Sequence, residues 1–242
     1  MSMRQILSRF KNKLQKQFLI YSGIAGEFKT DIDLPFSWKG NNYGGFYTTD
    51  INLYNDAVVC SFGVGEDISF DQDLYSRFNC TFHLFDPTPR SITFINDQQL
   101  PKGFNFHPYG IANETGMVDF YMPANPSHVS GSIVGHANVD EQSKISVQMR
   151  SWHDICQNLG IKKIQLLKMD IEGAEYDVIP SLLEGEVVIE QLVIEFHSRY
   201  LENGTALTKN AIELLRKHQF KLFAVSDTLE EVSFIHASVV KN

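Results

Sequence analysis

With 242 residues, of which 43% are hydrophobic and 12% aromatic, the chain is long and apolar enough to bury a substantial core, which argues against disorder. A formal net charge of -8 argues against nucleic acid as a partner. Three cysteines without metal-ligand spacing, no apolar run long enough to span a bilayer and no signal peptide together lead to the expectation of a cytoplasmic protein with buried free thiols.

Residues 1–20 hold Arg4, Arg9, Lys11, Lys13 and Lys16 and no acid, while Met3, Ile6, Leu7, Phe10, Leu14 and Phe18 recur at helical spacing. This reads as a basic amphipathic helix. It either packs on its own domain or makes peripheral contact with an anionic membrane or a partner. The stretch to residue 40 is read as an irregular extension, with the main domain over 41–242. In "NNYGGFYTTD", two glycines among aromatics suggest a loop that approaches a ligand closely.

From Ala57 the pattern becomes regular. "AVVCSF" (57–62) predicts a strand buried on both faces. "ISFDQDLYSRF" predicts a helix, "CTFHLF" (80–85) a second strand, and "SITFINDQQL" a helix after Pro87 and Pro89. Residues 104–113 and 117–123 read as a strand pair joined at "ETG", followed by a long polar loop. A strand over 144–150 leads into "SWHDICQNL", a short helix with Ser151 as N-cap. Strands over 164–170 and 191–197 alternate with helices over 175–183 and 208–218. The last two strands, 220–227 and 231–240, are separated only by "TLE" and must form an antiparallel hairpin. The expected fold class is therefore α/β: a doubly wound, mainly parallel seven-stranded sheet ending in that hairpin.

In such sheets ligands bind at the carboxyl ends of the strands. The first strand runs into "GVGED", where Gly63 and Gly65 permit a sharp turn. About 20 residues on, at the end of the next strand, Asp86 is placed to accept hydrogen bonds from both hydroxyls of a ribose. A dinucleotide fingerprint needs a third glycine where this chain has Ile68, and Glu66 and Asp67 would repel a pyrophosphate. A cationic adenosine compound tolerates those acids, and S-adenosylmethionine is one. An NAD-dependent oxidoreductase is the weaker enzyme reading. A non-catalytic cofactor-binding interaction domain is the alternative from another class.

Taken together, "SFGVGEDISFD", "FDPTPRS", "FHPYG", "PSHVSGS" and "LLKMDIEGAEYDVI" resemble the FkbM-type class I methyltransferases, from about residue 43 onward. Commoner members carry an aspartate where this chain has Ser61. The resemblance implies S-adenosylmethionine as cofactor and O-methylation of a sugar, glycan, glycolipid or other small-molecule hydroxyl, as in polysaccharide biosynthesis. Carried onto this sequence, it implies that Phe62, Gly63, Val64 and Gly65 wrap the cofactor and that Asp86 holds its ribose, with Pro87 shaping the turn. Gly110 and Ile111 border the adenine, and Asp170 lies near the methionine part or the acceptor. His128, Ser130 and Ser132 of the polar loop are acceptor-binding candidates, in a segment able to close over the site.

The acids of "MDIEGAE" raise a separate question, since a buried strand should not end in unpaired carboxylates. Glu175 reads as a first-turn acid favoured by the helix dipole. Asp170, Glu195 and His197 fall on adjacent strand ends, with Glu195 and His197 placed on one face by alternation. Two readings stay open. His197 acts as general base on the acceptor hydroxyl, the favoured reading because of its near-neutral pKa. Alternatively, the three residues hold a divalent ion such as magnesium.

Overall fold

The computed structural model describes residues 28–123 and 139–240, with the side chains of 121–123 and 139–144 left aside. The candidates His128, Ser130 and Ser132, and the basic segment 1–20, lie outside the described residues. The body is a seven-stranded sheet: β3 (Val58–Phe62), β4 (Thr81–Phe85), β5 (Phe104–His107), β10 (Leu166–Met169), β12 (Gln191–Glu195), β13 (Phe220–Val225) and β14 (Glu231–His236). Their spatial order is β13-β14-β12-β10-β3-β4-β5. The five strands from β12 to β5 are parallel, and β14 runs antiparallel to both β12 and β13. The expected hairpin is present, but its second strand is inserted between β12 and β13 instead of extending the sheet.

The central strands are apolar on both faces because both faces are covered. Along β3, Cys60 and Phe62 enter one hydrophobic cluster while Val59 enters the other. Along β10, Leu167 and Met169 join the first cluster and Leu166 the second. On the second face lie α1 (Ser69–Phe78) and α2 (Pro89–Asn96), which bury Phe70, Leu74 and Ile95. On the first lie α3 (Trp152–Leu159), α4 (Glu175–Glu184) and α5 (Gly204–Lys217). The helix ends follow local chemistry. Thr88 caps α2 ahead of Pro89, Ser151 caps α3 through the Asp154 amide, and Asn79 closes α1 in the left-handed conformation. Cys60, Cys80 and Cys156 are buried and unpaired with one another.

One part of the expected topology is different. Residues 104–113 and 117–123 do not pair. The chain leaves the main sheet at His107, because Pro108 has no N–H with which to continue the ladder. It then starts a second sheet, in which β6 (Gly110–Ala112) and β7 (Gly116–Pro123) flank β8 (Val139–Ser151) in the order β6-β8-β7. The strand expected over 144–150 is thus longer and central.

Segments before the body also pack on it. β1 (Ser37–Lys39) pairs with β2 (Phe46–Thr48), so the boundary placed at residue 40 falls within a strand pair. Asp31 joins the edge of β13: its amide bonds the Leu222 carbonyl, and its carboxylate accepts the Leu222 amide and the Arg216 guanidinium. Ile32 and Leu34 pack against Phe223, Ala224 and Ile235. Among the described residues no helix is long and apolar enough to cross a membrane.

Candidate functional site

The chain runs from β3 outward through β4 to β5, then returns to place β10 and β12 on the other side of β3. The carboxyl ends of β3 and β10 therefore meet at the point where strand order reverses, and a crevice opens there. A cavity of about 370 Å³ fills it, within the range of small-molecule sites. Phe62, Gly63, Val64, Gly65, Asp86, Pro87, Gly110, Ile111 and Asp170 all line it, so every residue expected to hold the cofactor converges on one space.

The loop after β3 explains its glycines. Gly63 has φ +79°, and a Cβ there would stand 1.6 Å from the Asp170 carbonyl oxygen, so the two strand ends touch backbone to backbone. Gly65 has φ +58° but faces open space. Asp86, 5% exposed, accepts the Gly65 amide on one oxygen at 2.9 Å. Its other oxygen takes the Thr88 amide at 2.8 Å and the Thr88 hydroxyl at 2.6 Å. The carboxylate is thereby fixed in the wall, with acceptor capacity left for hydroxyls of a ligand.

Beneath this loop lies a buried polar chain that sequence reasoning did not find. Lys168 in β10 donates to the Gly63 carbonyl at 2.9 Å and stands 3.5 Å from the Asp170 carboxylate. At Ser61, where the commoner family pattern has an aspartate, the hydroxyl donates to Asp71 of α1 at 2.5 Å. A carboxylate is thus supplied from the next helix. Burial pushes the Asp71 carboxyl up to about 6, against the pull of Lys168 and Ser61. A lysine inside an apolar strand was the available signal.

Two further walls complete the cavity, one from the second sheet, which the sequence did not reveal, and one from the glycine-containing loop expected to approach a ligand. Phe120 and Met149 of the second sheet close one side of the cavity. On the other side, the loop around Tyr43 is tied down by Asn41, whose side-chain amide donates to Asp67 at 2.7 Å and whose oxygen accepts the Tyr43 and Gly44 amides. The Tyr43 ring is 77% exposed at the cavity mouth. Its hydroxyl pKa is raised by partial burial and by the charges of Asp170, Glu172 and Glu195.

The acids after β10 gather around His197, which answers the question their sequence raised. β12 stops at Glu195, and the chain turns at His197 into a short 3-10 helix, Ser198–Tyr200. Strand alternation therefore does not place His197; the turn does. The ring is 1% exposed and stacks on Tyr200. Its Nδ1 lies 2.8 Å from Glu175 Oε1, which also accepts the Ile171 and Gly173 amides. A carboxylate oxygen holding those donors makes Nδ1 a donor too. Glu175 sits in the first turn of α4, as expected, and is also a fully buried clamp. Nε2 faces Glu172, Glu195 and Asp170 at 3.3, 3.5 and 3.7 Å.

Burial alone would lower the His197 pKa, but Glu175, Glu172 and Asp170 overcome it and push it up to about 10. Burial and the neighbouring Asp170 charge push Glu195 up to about 8. The geometry does not favour His197 as general base: the ring does not line the cavity, its Nδ1 is committed to Glu175, and its Nε2 faces carboxylates instead of the acceptor space.

The comparisons with known proteins agree with this geometry. Residues 59–222 match the model of the methyltransferase FkbM domain. The chain is 26% identical to the 2-O-methyltransferase NoeI of Sinorhizobium fredii, over 66% of this chain and 71% of that protein. It is 33% identical to the AMB antimetabolite synthetase AmbE of Pseudomonas aeruginosa, over 35% of this chain but only 4% of that protein. Among solved structures, the Methanococcus jannaschii fibrillarin pre-rRNA processing protein aligns over 78% of this chain and 68% of its own, at 12% identity and a TM-score of 0.45. The family match covers more than half of the chain and takes in both glycines of the first loop, Asp86, and the acids around His197: this chain belongs to the FkbM family of S-adenosylmethionine-dependent methyltransferases.

Proposed function

We propose that the protein moves the methyl group of S-adenosylmethionine to a hydroxyl of a small polyhydroxylated acceptor, a free sugar or the sugar of a glycan or glycolipid. The observation that carries the reading is one cavity bounded at one end by the Gly63–Gly65 loop and Asp86 and at the other by Asp170, Glu172 and Tyr43. The first end suits an adenosine, with Asp86 bonding the ribose hydroxyls. The second suits a hydroxylated acceptor, because carboxylates accept hydrogen bonds from hydroxyls and an exposed aromatic ring covers the apolar face of a sugar. The similarity to a 2-O-methyltransferase supports oxygen as the target atom. The acidic rim and the net charge of -8 disfavour a polyanion, so nucleic acid is not the acceptor.

Held by the Gly63–Gly65 loop and Asp86, S-adenosylmethionine would supply an electrophilic methyl group for the acceptor oxygen, with S-adenosylhomocysteine as the leaving group. The hydroxyl proton leaves toward the carboxylate of Asp170, which lines the cavity. Holding the two reactants in one cavity supplies the orientation on which such a displacement depends. Lys168 anchors the loop by its bond to the Gly63 carbonyl and balances the charge of Asp170.

Calorimetric titration with S-adenosylhomocysteine tests the cofactor end, with NAD run beside it. The expected result is micromolar binding of the former alone, and about a 100-fold loss in Asp86→Ala, which removes charge-assisted hydrogen bonds. Binding of NAD instead, or undiminished affinity in that variant, would refute the assignment. Transfer of a labelled methyl group to a panel of sugars and glycans tests the acceptor end.

A further inference from the structure

We propose that Asp170, Glu172 and His197 form a binding site for one divalent cation of the manganese and magnesium class, with Glu195 beside it and Glu175 behind His197 as its orienting partner. The three carboxylate oxygens stand 3.3 to 3.7 Å from Nε2. Charge-assisted N–H···O bonds are shorter, about 2.7–2.9 Å, so these contacts are poor hydrogen bonds. They suit the edges of a coordination shell instead: metal–ligand bonds of about 2.1 Å set neighbouring ligand atoms about 3.0 to 3.5 Å apart. Ligand atoms of Asp170, Glu172 and His197 all lie within 4.8 Å of one another.

The second observation is the state of the ring. His197 is 1% exposed, and its Nδ1 is committed to Glu175, which is itself fully buried. Metal-bound histidines have this arrangement, one nitrogen donating to a carboxylate and the other turned, bare, to the ion. The second oxygen of this buried carboxylate has no hydrogen-bond partner. Two carboxylates and one imidazole nitrogen suit manganese, with magnesium next.

The site opens on the acceptor end of the cavity through Asp170 and Glu172. A cation there would bind the acceptor hydroxyl and lower its pKa, the task for which His197 is unavailable. That role rests on the methyl-transfer reading above; the binding itself does not.

The test is titration of the chelator-treated full chain with manganese, followed by electron paramagnetic resonance and calorimetry, with and without S-adenosylhomocysteine. One ion per chain is expected. Asp170→Asn and Glu172→Gln should each weaken it at least tenfold, and Glu175→Gln about 10- to 100-fold through loss of ring orientation. Asp86→Ala should lose S-adenosylhomocysteine and keep manganese, so failure of the two ends is told apart. Circular dichroism melts confirm that each variant folds, and Glu172→Gln, on a half-buried turn, is the one least dependent on the core. No stoichiometric manganese in either condition would overturn the proposal. So would binding unchanged in both Asp170→Asn and Glu172→Gln.

Discussion

Gly63 and Gly65 look alike in sequence and differ in what they tolerate. Both have positive φ, but only Gly63 has a backbone carbonyl where a Cβ would go. Gly63→Ala should therefore part the ends of β3 and β10, destabilising the fold by roughly 3 kcal/mol or more and abolishing cofactor binding. Gly65→Ala meets only the left-handed penalty of about 1–2 kcal/mol and should keep measurable affinity. Thermal melts and calorimetry on the pair check this contrast. Asp71 gives a second prediction. Its folded pKa of about 6 lies above the ordinary aspartate value of 3.8, so the native state binds the proton more tightly. The stability it contributes is fully present below pH 3.8 and is lost as pH rises through about 6, on the order of 3 kcal/mol. Asp71→Asn cannot ionise, so urea unfolding between pH 4 and 7 should show that decline in the native chain and not in the variant. Asp86 and the glycines were legible because spacing alone fixes where they fall. Lys168 and Asp71 were not, since nothing in a sequence shows that a lysine in one strand and an aspartate in a distant helix meet under the same loop.

At the level of elements, strand periodicity carried most of the fold, and its failures have local causes. The pair expected at "ETG" failed because Pro108 breaks the run and β8 offers both partners a longer ladder. His197 was placed correctly near Glu195 for the wrong reason, since the turn after β12, not alternation, brings the ring back. At the opposite end of the sheet from the cavity, Gln191 at the start of β12 ties down the segment that follows β2. Its oxygen accepts the Thr49 amide at 2.9 Å, and its nitrogen donates to the Thr49 carbonyl and to Asn52. Gln191→Leu leaves those buried backbone groups unpaired and should cost about 3 kcal/mol. The urea midpoint should fall with the slope unchanged, while affinity for S-adenosylhomocysteine stays as it was, because the network is remote from the cavity.

At the scale of the whole molecule, four acids gather around His197. The carboxylates around His197 form an electronegative mouth that draws in cations and repels polyanions. The exposed edge of β13 is managed by the chain itself. Asp31 lies against Leu222, and Arg216 holds the Asp31 carboxylate and the Lys29 carbonyl. Edges left open invite pairing with other chains. Asp31→Ala should loosen this strap, so trypsin should cut after Lys29 faster than in the native chain. Limited proteolysis read by mass spectrometry checks it.

The insertion of β14 between β12 and β13 has a consequence for synthesis. β13 touches the sheet only through β14, and β12 has β14 as its neighbour on that side. A nascent chain that has emerged only as far as residue 225 therefore holds one strand without a place and another with an open flank. Both are repaired only when residues 231–236 slide between them, pairing Ile194 with Val232 and Leu222 with Phe234. Until then the apolar flank of β12 is open to wrong partners, and a holding chaperone would find its target there. A ribosome stalled short of residue 236 would release a chain that carries the whole cofactor loop and both halves of the acid site, yet has no closed sheet on which to keep them.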